Sequence, residues 1–75
     1  MNDKRRAKLH DAQRMLQHAL DAIEQVLDDE RDALEGIPEN MTERVERSEG
    51  AISHLEDAKS SVEDAVRQLE SAVER

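Results

Sequence analysis

The sequence predicts an all-helical protein in which two long antiparallel helices form a hairpin. Three observations predict this fold: the composition is that of long helices, two heptad series of apolar residues run along the chain, and one strong break separates them. Of the 75 residues, 40% are charged and none is aromatic, and the chain has two Gly, one Pro and no Cys. This composition is typical of coiled coils and unfavourable for a sheet with its regular turns.

The first heptad series predicts a helix over residues 3–35, approximately. With Leu9 placed at position a, apolar residues recur at a, d and e, which together form a three-sevenths face. Met15 and Ala22 widen this face at position g, so we expect the first helix to contact two or more helices. The series consists of Leu9, Leu16 and Ile23 at a, Ala12, Ala19, Val26 and Ala33 at d, and Leu20, Leu27 and Leu34 at e.

Residues 36–40 form the predicted turn. We expect Gly36 to adopt the left-handed conformation that often ends a helix, and Pro38 disfavours helix at Ile37. Asn40 and Glu43 have the spacing of a capping box, which predicts that Asn40 caps a second helix over about residues 41–75. The chain from residue 1 to residue 75 is therefore expected to be a single helical-hairpin domain.

The second heptad series has alanine at four successive g positions. Its members are Val45, Ile52, Val66 and Val73 at a, Met41, Leu55, Val62 and Leu69 at d, and Ala51, Ala58, Ala65 and Ala72 at g. A small residue at every seventh position lets two backbones approach closely, so we expect these alanines to tighten the antiparallel pair. Gly50 leaves two alternatives, because the helix either continues through it or begins anew at Glu49 with Ser48 as its cap.

Both apolar faces are wider than a single helix–helix contact. Two hairpins packed as a four-helix bundle would cover the remainder, so a homodimer is the leading prediction, ahead of a higher oligomer or a monomer that awaits a partner. Glu30, Ser48 and Lys59 interrupt the apolar positions, and Gln13 lies at e. Such polar groups fix register and oligomeric state. Alternatively, Lys59 marks an anion site, since a buried ammonium needs a negative partner.

Charge is distributed unevenly along the chain, whose formal net charge is −8. The candidate partner-binding surface, called the acidic turn end below, comprises Asp28, Asp29, Asp32, Glu35, Glu39 and Glu43. The candidate anion-binding residues are Lys4, Arg5, Arg6, Lys8 and Arg14, together with Lys59 and Arg67. A nucleic-acid partner is disfavoured, because the overall charge repels phosphates and the chain has no aromatic residue to stack on a base.

The residues also offer little for catalysis or for a metal. No Cys or Tyr nucleophile, Gly-rich phosphate loop or calcium loop is present, so we expect neither enzymatic activity nor a cofactor. The one metal constellation worth testing pairs His18 and Asp21 with His54 and Asp57, because in a hairpin residue i is expected opposite residue 75 − i. All four fall on outer heptad positions, so we predict no metal site.

No apolar segment approaches the length of a membrane span, and the N-terminus leads into no apolar signal region, so we expect a cytoplasmic protein.

Several short segments in the middle of the chain share a pattern with known proteins. Asp29-Glu30-Arg31-Asp32 ends the first helix, Ile37-Pro38-Glu39-Asn40-Met41 forms the turn, and Ser48-Glu49-Gly50 leads to Leu55-Glu56-Asp57-Ala58. In this pattern residues 30–58 resemble small uncharacterised helical-hairpin proteins of bacteria and their phages. The resemblance implies a hairpin fold and a phage or mobile-element setting, and it assigns no activity.

Three functions agree with these features. The first is a non-enzymatic oligomeric protein that occupies a partner's surface, as a nucleic-acid mimic or phage-type accessory or anti-defence protein would, with a host protein as partner. The second is an oligomer that sequesters a small anionic ligand, such as a nucleotide signal, at the basic residues. The third is a structural module whose only partner is itself.

Overall fold

The computed structural model describes residues 1–75 and contains two antiparallel α-helices of 33 residues each. Helix α1 spans Asp3–Glu35 and helix α2 spans Thr42–Glu74, and a short turn joins them. The molecule measures 58 × 14 × 12 Å, so it is a rod one helical layer thick. The predicted all-helical hairpin is confirmed.

The start of α1 is capped by the residue before it. The side-chain oxygen of Asn2 accepts a hydrogen bond from the backbone N–H of Arg5 at 2.9 Å, and Asp3 places a carboxylate in the first turn. Both features satisfy or complement the unpaired N–H groups of a helix N-terminus. They offset the unfavourable position of the basic residues that follow.

The end of α1 differs from the prediction at Gly36, which is not left-handed. Its φ and ψ are −85° and −6°, in the right-handed region, and its N–H donates to the carbonyl of Ala33 at 3.1 Å. Ile37 likewise donates to Leu34 at 3.1 Å. The helix thus ends in a tightened last turn, which satisfies the final carbonyls without any residue of positive φ.

Helix α2 begins one residue later than the capping box predicts, so the prediction that Asn40 is the N-cap is wrong. Met41 occupies that position and makes no side-chain capping bond. The N–H of Met41 donates to the carbonyl of Pro38 at 2.9 Å, which closes a turn that contains Asn40. Glu43 contacts Arg47 at 2.8 Å instead of the backbone of residue 40.

The contact between the helices uses different heptad positions on the two helices. On α2 the a and d positions face α1, as the sequence predicts. On α1 the contact uses a and e: Leu20 and Leu27, both at e, are 8% and 1% exposed, whereas Val26 at d and Met15 at g are 51% and 70% exposed. The alanines at Ala19 and Ala51 are also exposed. Larger side chains fill the contact, and the alanine columns flank it, half-buried at Ala12, Ala65 and Ala72. That these alanines tighten the hairpin stays a prediction.

Helix α2 is continuous through Gly50, which lies on the solvent-facing side. A Cβ atom at this position would meet no other atom within 4 Å, and no glycine in the chain has a positive φ. The glycine therefore contributes no packing or turn geometry that an alanine would disturb.

Replacing Gly50 with Ala should stabilise the protein by about 0.5–1 kcal/mol, because alanine loses less backbone entropy in a helix interior. Thermal unfolding followed by circular dichroism at 222 nm, at fixed protein concentration, measures the change. Ser60→Gly, at another exposed position of α2, is the matched control and should lower the melting temperature. A Gly50→Ala variant that melts below the wild type would show that α2 is not a regular helix there.

Candidate functional site

The hairpin has two unlike sides, which the ion pairs between the helices identify. Arg31 lies 3.7 Å from Glu56, and Lys59 lies 3.8 Å from Glu24. These pairs join the b positions of α1 to α2 on one side of the contact, called the polar side below. At 100° per residue, the d and g positions of α1 and the g positions of α2 both fall on the opposite side.

That opposite side is apolar and consists mostly of small residues. We call it the apolar side, and it comprises Ala12, Met15, Ala19, Ala22, Val26 and Ala33 of α1 with Ala51, Ala58, Ala65 and Ala72 of α2. Ala12, Ala65 and Ala72 are half-buried and the others are exposed. The α1 members recur with alternating spacings of three and four residues, apart from one interruption at Asp29. Apolar residues at this spacing are typical of a helix–helix contact, so α1 carries a second apolar stripe in addition to the one that faces α2.

The exposed area of the hairpin is larger than that expected of a compact globular chain of its mass. A globular chain of 8.6 kDa is expected to expose about 4,700 Å². The hairpin exposes 5708 Å², and only Leu20, Leu27 and Ser48 are buried. The excess of about 1,000 Å² is similar to the area of about 800 Å² that each partner buries in a standard protein–protein interface.

The polar residues that interrupt the apolar positions all have partners within the chain. Ser48 is 5% exposed, and its hydroxyl donates to a carboxylate oxygen of Glu30 at 3.0 Å. Lys59 is half-buried beside Glu24, and Gln13 is half-buried. No buried polar side-chain atom lacks a hydrogen-bond partner. The ammonium of Lys59 therefore has its negative partner without any bound anion.

The acidic turn end is exposed in all six of its residues. Asp28 lies 3.6 Å from Arg31 and Glu43 lies 2.8 Å from Arg47, while the remaining four carboxylates have no basic partner within 4 Å. Residues 20–58 form the half of the rod that contains the turn, called the turn half. This half contains thirteen acidic and three basic residues, which gives it a net charge of −10. The other half of the rod, residues 1–19 and 59–75, is called the open half and has a net charge of +2.

The candidate anion-binding residues do not converge on one site. Arg14 pairs with Asp11, Arg67 pairs with Asp64, and Lys59 pairs with Glu24. Lys59 and Arg6 lie about 27 Å apart along the rod, because Glu24 is eighteen residues beyond Arg6. Lys4, Arg5 and Lys8 are exposed cations without a carboxylate within 4 Å.

Arg6 has a structural role at the chain ends. Its side chain is half-buried, and the guanidinium Nε donates to the carbonyl of Val73 at 3.0 Å while Nη1 contacts Asp3 at 3.4 Å. A guanidinium at the last carbonyls of a helix is favourable for the helix dipole. The contact joins the two chain ends, and only the helix register reveals it.

The four metal candidates lie apart on the outer surface. His18, Asp21, His54 and Asp57 are all exposed, and no group of three or more potential ligands comes together anywhere in the chain. The expected register was displaced by about three residues. Glu30 meets Ser48 and Arg6 meets Val73, so residue i lies opposite residue 78 − i or 79 − i.

Comparison with known proteins adds no family to this description: no family model, curated protein or solved structure matches the chain. Neither helix includes a segment of the length and apolar character needed to cross a bilayer.

The hydrogen bond between Ser48 and Glu30 should stabilise the pairing of the helices near the turn. Replacing Ser48 with Ala should cost about 1 kcal/mol, since Glu30 is half-buried and water replaces only part of the lost bond. Urea unfolding followed by circular dichroism measures this cost. In a double-mutant cycle with Glu30→Ala, the two costs should be less than additive. Additive costs would mean that the bond contributes nothing in solution.

Proposed function

We propose that the protein is a non-enzymatic cytoplasmic binding protein that self-associates through its apolar side and occupies a basic surface of a partner protein with its acidic turn end. Two hairpins pack their apolar sides together and form a four-helix bundle. The single observation that carries this proposal is the uncovered apolar side, which spans both helices. The surface depressions of the hairpin are open grooves, two of them beside the helix–helix contact and one at the turn, which agrees with a binding function better than with catalysis.

The energetics of the isolated hairpin support self-association. A chain of this length with no disulfide and three buried residues has little core to offset the entropy of folding. Burial of the apolar part of the excess exposed area, at about 25 cal/mol per Å² of apolar area, would add to the stabilisation that the small present core supplies. A second layer of helices is the arrangement that helical hairpins use to bury such a face.

The composition of the apolar side suits a helix–helix contact between copies. Alanine columns allow helix axes to approach to the short end of the usual range of about 8–10 Å. Met15 and Val26 are the larger side chains of the apolar side. Met15 has alanines three and four residues away and Val26 has one alanine four residues away, which leave room for a neighbour. Few charged residues interrupt this surface, so little desolvation of charge opposes its burial.

The partner-binding half of the proposal rests on the charge of the turn half. A net charge of −10 concentrated in one half of a rod produces a strong local field, which accelerates encounter with a basic partner. Of the six turn-end carboxylates, four have no intramolecular ion pair to break on binding. An accessory or anti-defence role in a phage setting rests on the sequence resemblance alone.

A structural module that binds only itself is the competing function, because it needs the same apolar side and no other surface. The two functions differ in what the acidic turn end does. A module of that kind tolerates loss of the turn-end charges without losing any association, whereas a binding protein does not.

Charged residues on the apolar side should convert the dimer into monomers. We expect the wild type to have twice the mass of the 8.6 kDa chain and Ala19→Glu/Val26→Glu to have the mass of one chain, measured by light scattering after gel filtration. Both positions are exposed in the hairpin, so the variant leaves the contact between α1 and α2 intact.

Ser53→Glu/Ser60→Glu is the matched control for this variant. It places the same two charges seven residues apart on exposed positions of α2 away from the apolar side, and it should remain dimeric. A monomeric wild type, or a dimeric Ala19→Glu/Val26→Glu variant, would refute self-association through this side.

Neutralising the turn end should abolish partner binding without dissociating the bundle. Asp32→Asn/Glu35→Gln/Glu39→Gln removes three exposed carboxylates there. Glu63→Gln/Glu70→Gln/Glu74→Gln removes three carboxylates from the open half, where Glu70 and Glu74 are exposed and Glu63 is half-buried. Both variants have the same net charge, so nonspecific attraction falls equally in the two. Affinity purification from the native cell, with the retained proteins quantified by mass spectrometry, should show loss of a specific partner with the first variant only. Equal retention by both would favour the self-binding module.

A further inference from the structure

We propose that the two hairpins of the dimer pack head to tail, so that the acidic turn half of each copy lies beside the open half of the other. This inference rests on the proposed self-association and adds its geometry. Two arrangements bring the apolar sides together with twofold symmetry. In one, the twofold axis runs along the rod and both turns lie at the same end. In the other, the axis is perpendicular to the rod and the turns lie at opposite ends.

The distribution of charge selects the second arrangement. The turn half has a net charge of −10 and the open half has +2. With both turns at one end, two halves of −10 would lie side by side with helix axes about 8–10 Å apart, which is close to the Debye length of about 8 Å at physiological ionic strength. Packed head to tail, each acidic half faces a half of opposite net sign.

Individual charged residues at the two ends of the α1 stripe are also complementary. Arg5 and Lys8 continue the d and g positions of the stripe at the open end, and Asp29 occupies a g position toward the turn. Head-to-tail packing places α1 against α1 of the second copy in antiparallel orientation. Lys8 then lies at the level of Asp29 of the second copy, and the same contact occurs twice by symmetry.

A twofold axis perpendicular to the rod also requires that the α1 stripe and the alanine column of α2 have their centres at the same position along the rod. The two centres meet this requirement. The d and g positions of α1 from Arg5 to Ala33 are centred on Ala19. Within them Ala12 mirrors Val26 and Met15 mirrors Ala22, which pairs each larger side chain with an alanine. The alanine column of α2 is centred between Ala58 and Ala65. The observed register sets Ala19 level with residues 59–60, within about one helical turn of that centre.

Head-to-tail packing gives the bundle two identical acidic turn ends at opposite ends of a rod about as long as the 58 Å hairpin. Each end is free to engage its own basic partner. The dimer is therefore bivalent, and it would bind one partner per chain or bridge two basic sites on a large partner. A bundle with both turns at one end would offer a single joined acidic surface.

Distances between spin labels in the dimer test this orientation, and the absence of cysteine makes single-site labelling simple. Asn40→Cys labels the turn and Ser71→Cys labels the open half, both at exposed positions. Head-to-tail packing predicts more than about 50 Å between the two Asn40→Cys labels of a dimer, from the helical rise of 1.5 Å per residue. In mixed dimers, Asn40→Cys of one copy and Ser71→Cys of the other should lie less than about 30 Å apart.

Ser60→Cys, close to the middle of the rod, is the control, because both arrangements predict the same short distance there. A distance below about 30 Å between the two Asn40→Cys labels would overturn the head-to-tail arrangement while leaving self-association intact. A chain with the mass of a monomer and no intermolecular distance at any of the three sites would overturn self-association and the orientation together.

Discussion

A single layer of two helices leaves one side of each helix uncovered, and this constraint governs the rest of the molecule. In the hairpin, the apolar contact of α1 with α2 uses its a and e positions, and two b positions add ion pairs. A second stripe, at the d and g positions of α1, lies about 110° around the helix and is mostly exposed. Because the alanine column of α2 falls on the same side, the two uncovered stripes form one continuous surface. A second layer packed on this surface, as in the proposed dimer, is the minimum that buries both faces of a helix.

The contact between the helices contributes more to the choice of a single helix alignment than to the free energy of unfolding. Its apolar core is small, with Leu20 and Leu27 as the only buried apolar side chains. Polar contacts are distributed along its length: Ser48 with Glu30 near the turn, Lys59 with Glu24 near the middle, and Arg6 with Val73 near the chain ends. Ion pairs of this exposure contribute little to the free energy of unfolding. A slip of register would break all three contacts together, so they favour a single alignment of the helices.

Most of the fold could be predicted from the sequence, and the errors have a common physical origin. Apolar periodicity and the single Gly-Ile-Pro break were sufficient to predict two helices and their boundaries within a residue or two. The heptad pattern of α1 did not decide between a/d and a/e as its contact, because both stripes are apolar. The sizes of the side chains agree with the observed contact, since leucines occupy e and alanines occupy most of d.

Small errors in the predicted turn had large effects on which residues were expected to pair at the candidate sites. Closure of the turn from Pro38 to Met41 moved the start of α2 by one residue and the register by about three. A shift of three residues rotates a helix position by about 300° and moves it by about 4.5 Å, which alters every expected pairing across the hairpin. The basic cluster was visible in the sequence, but the pairing of Lys59 with Glu24 depends on that register, whereas Arg14 and Arg67 pair with carboxylates three residues away on their own helices.

The separation of apolar residues to one side and carboxylates to one half has an energetic consequence for binding. Thirteen acidic residues in the turn half repel one another and oppose the compact state, and three basic residues compensate only part of this repulsion. In the proposed dimer, an open half of net +2 from the second copy would relieve some of this repulsion, and the proposed basic partner at the turn would relieve more. A partner that binds the acidic turn end of the folded state would also stabilise that state, by the linkage that any ligand of the native state obeys. The proposed assembly and the proposed partner binding thus use different surfaces of this chain and are coupled through its charge.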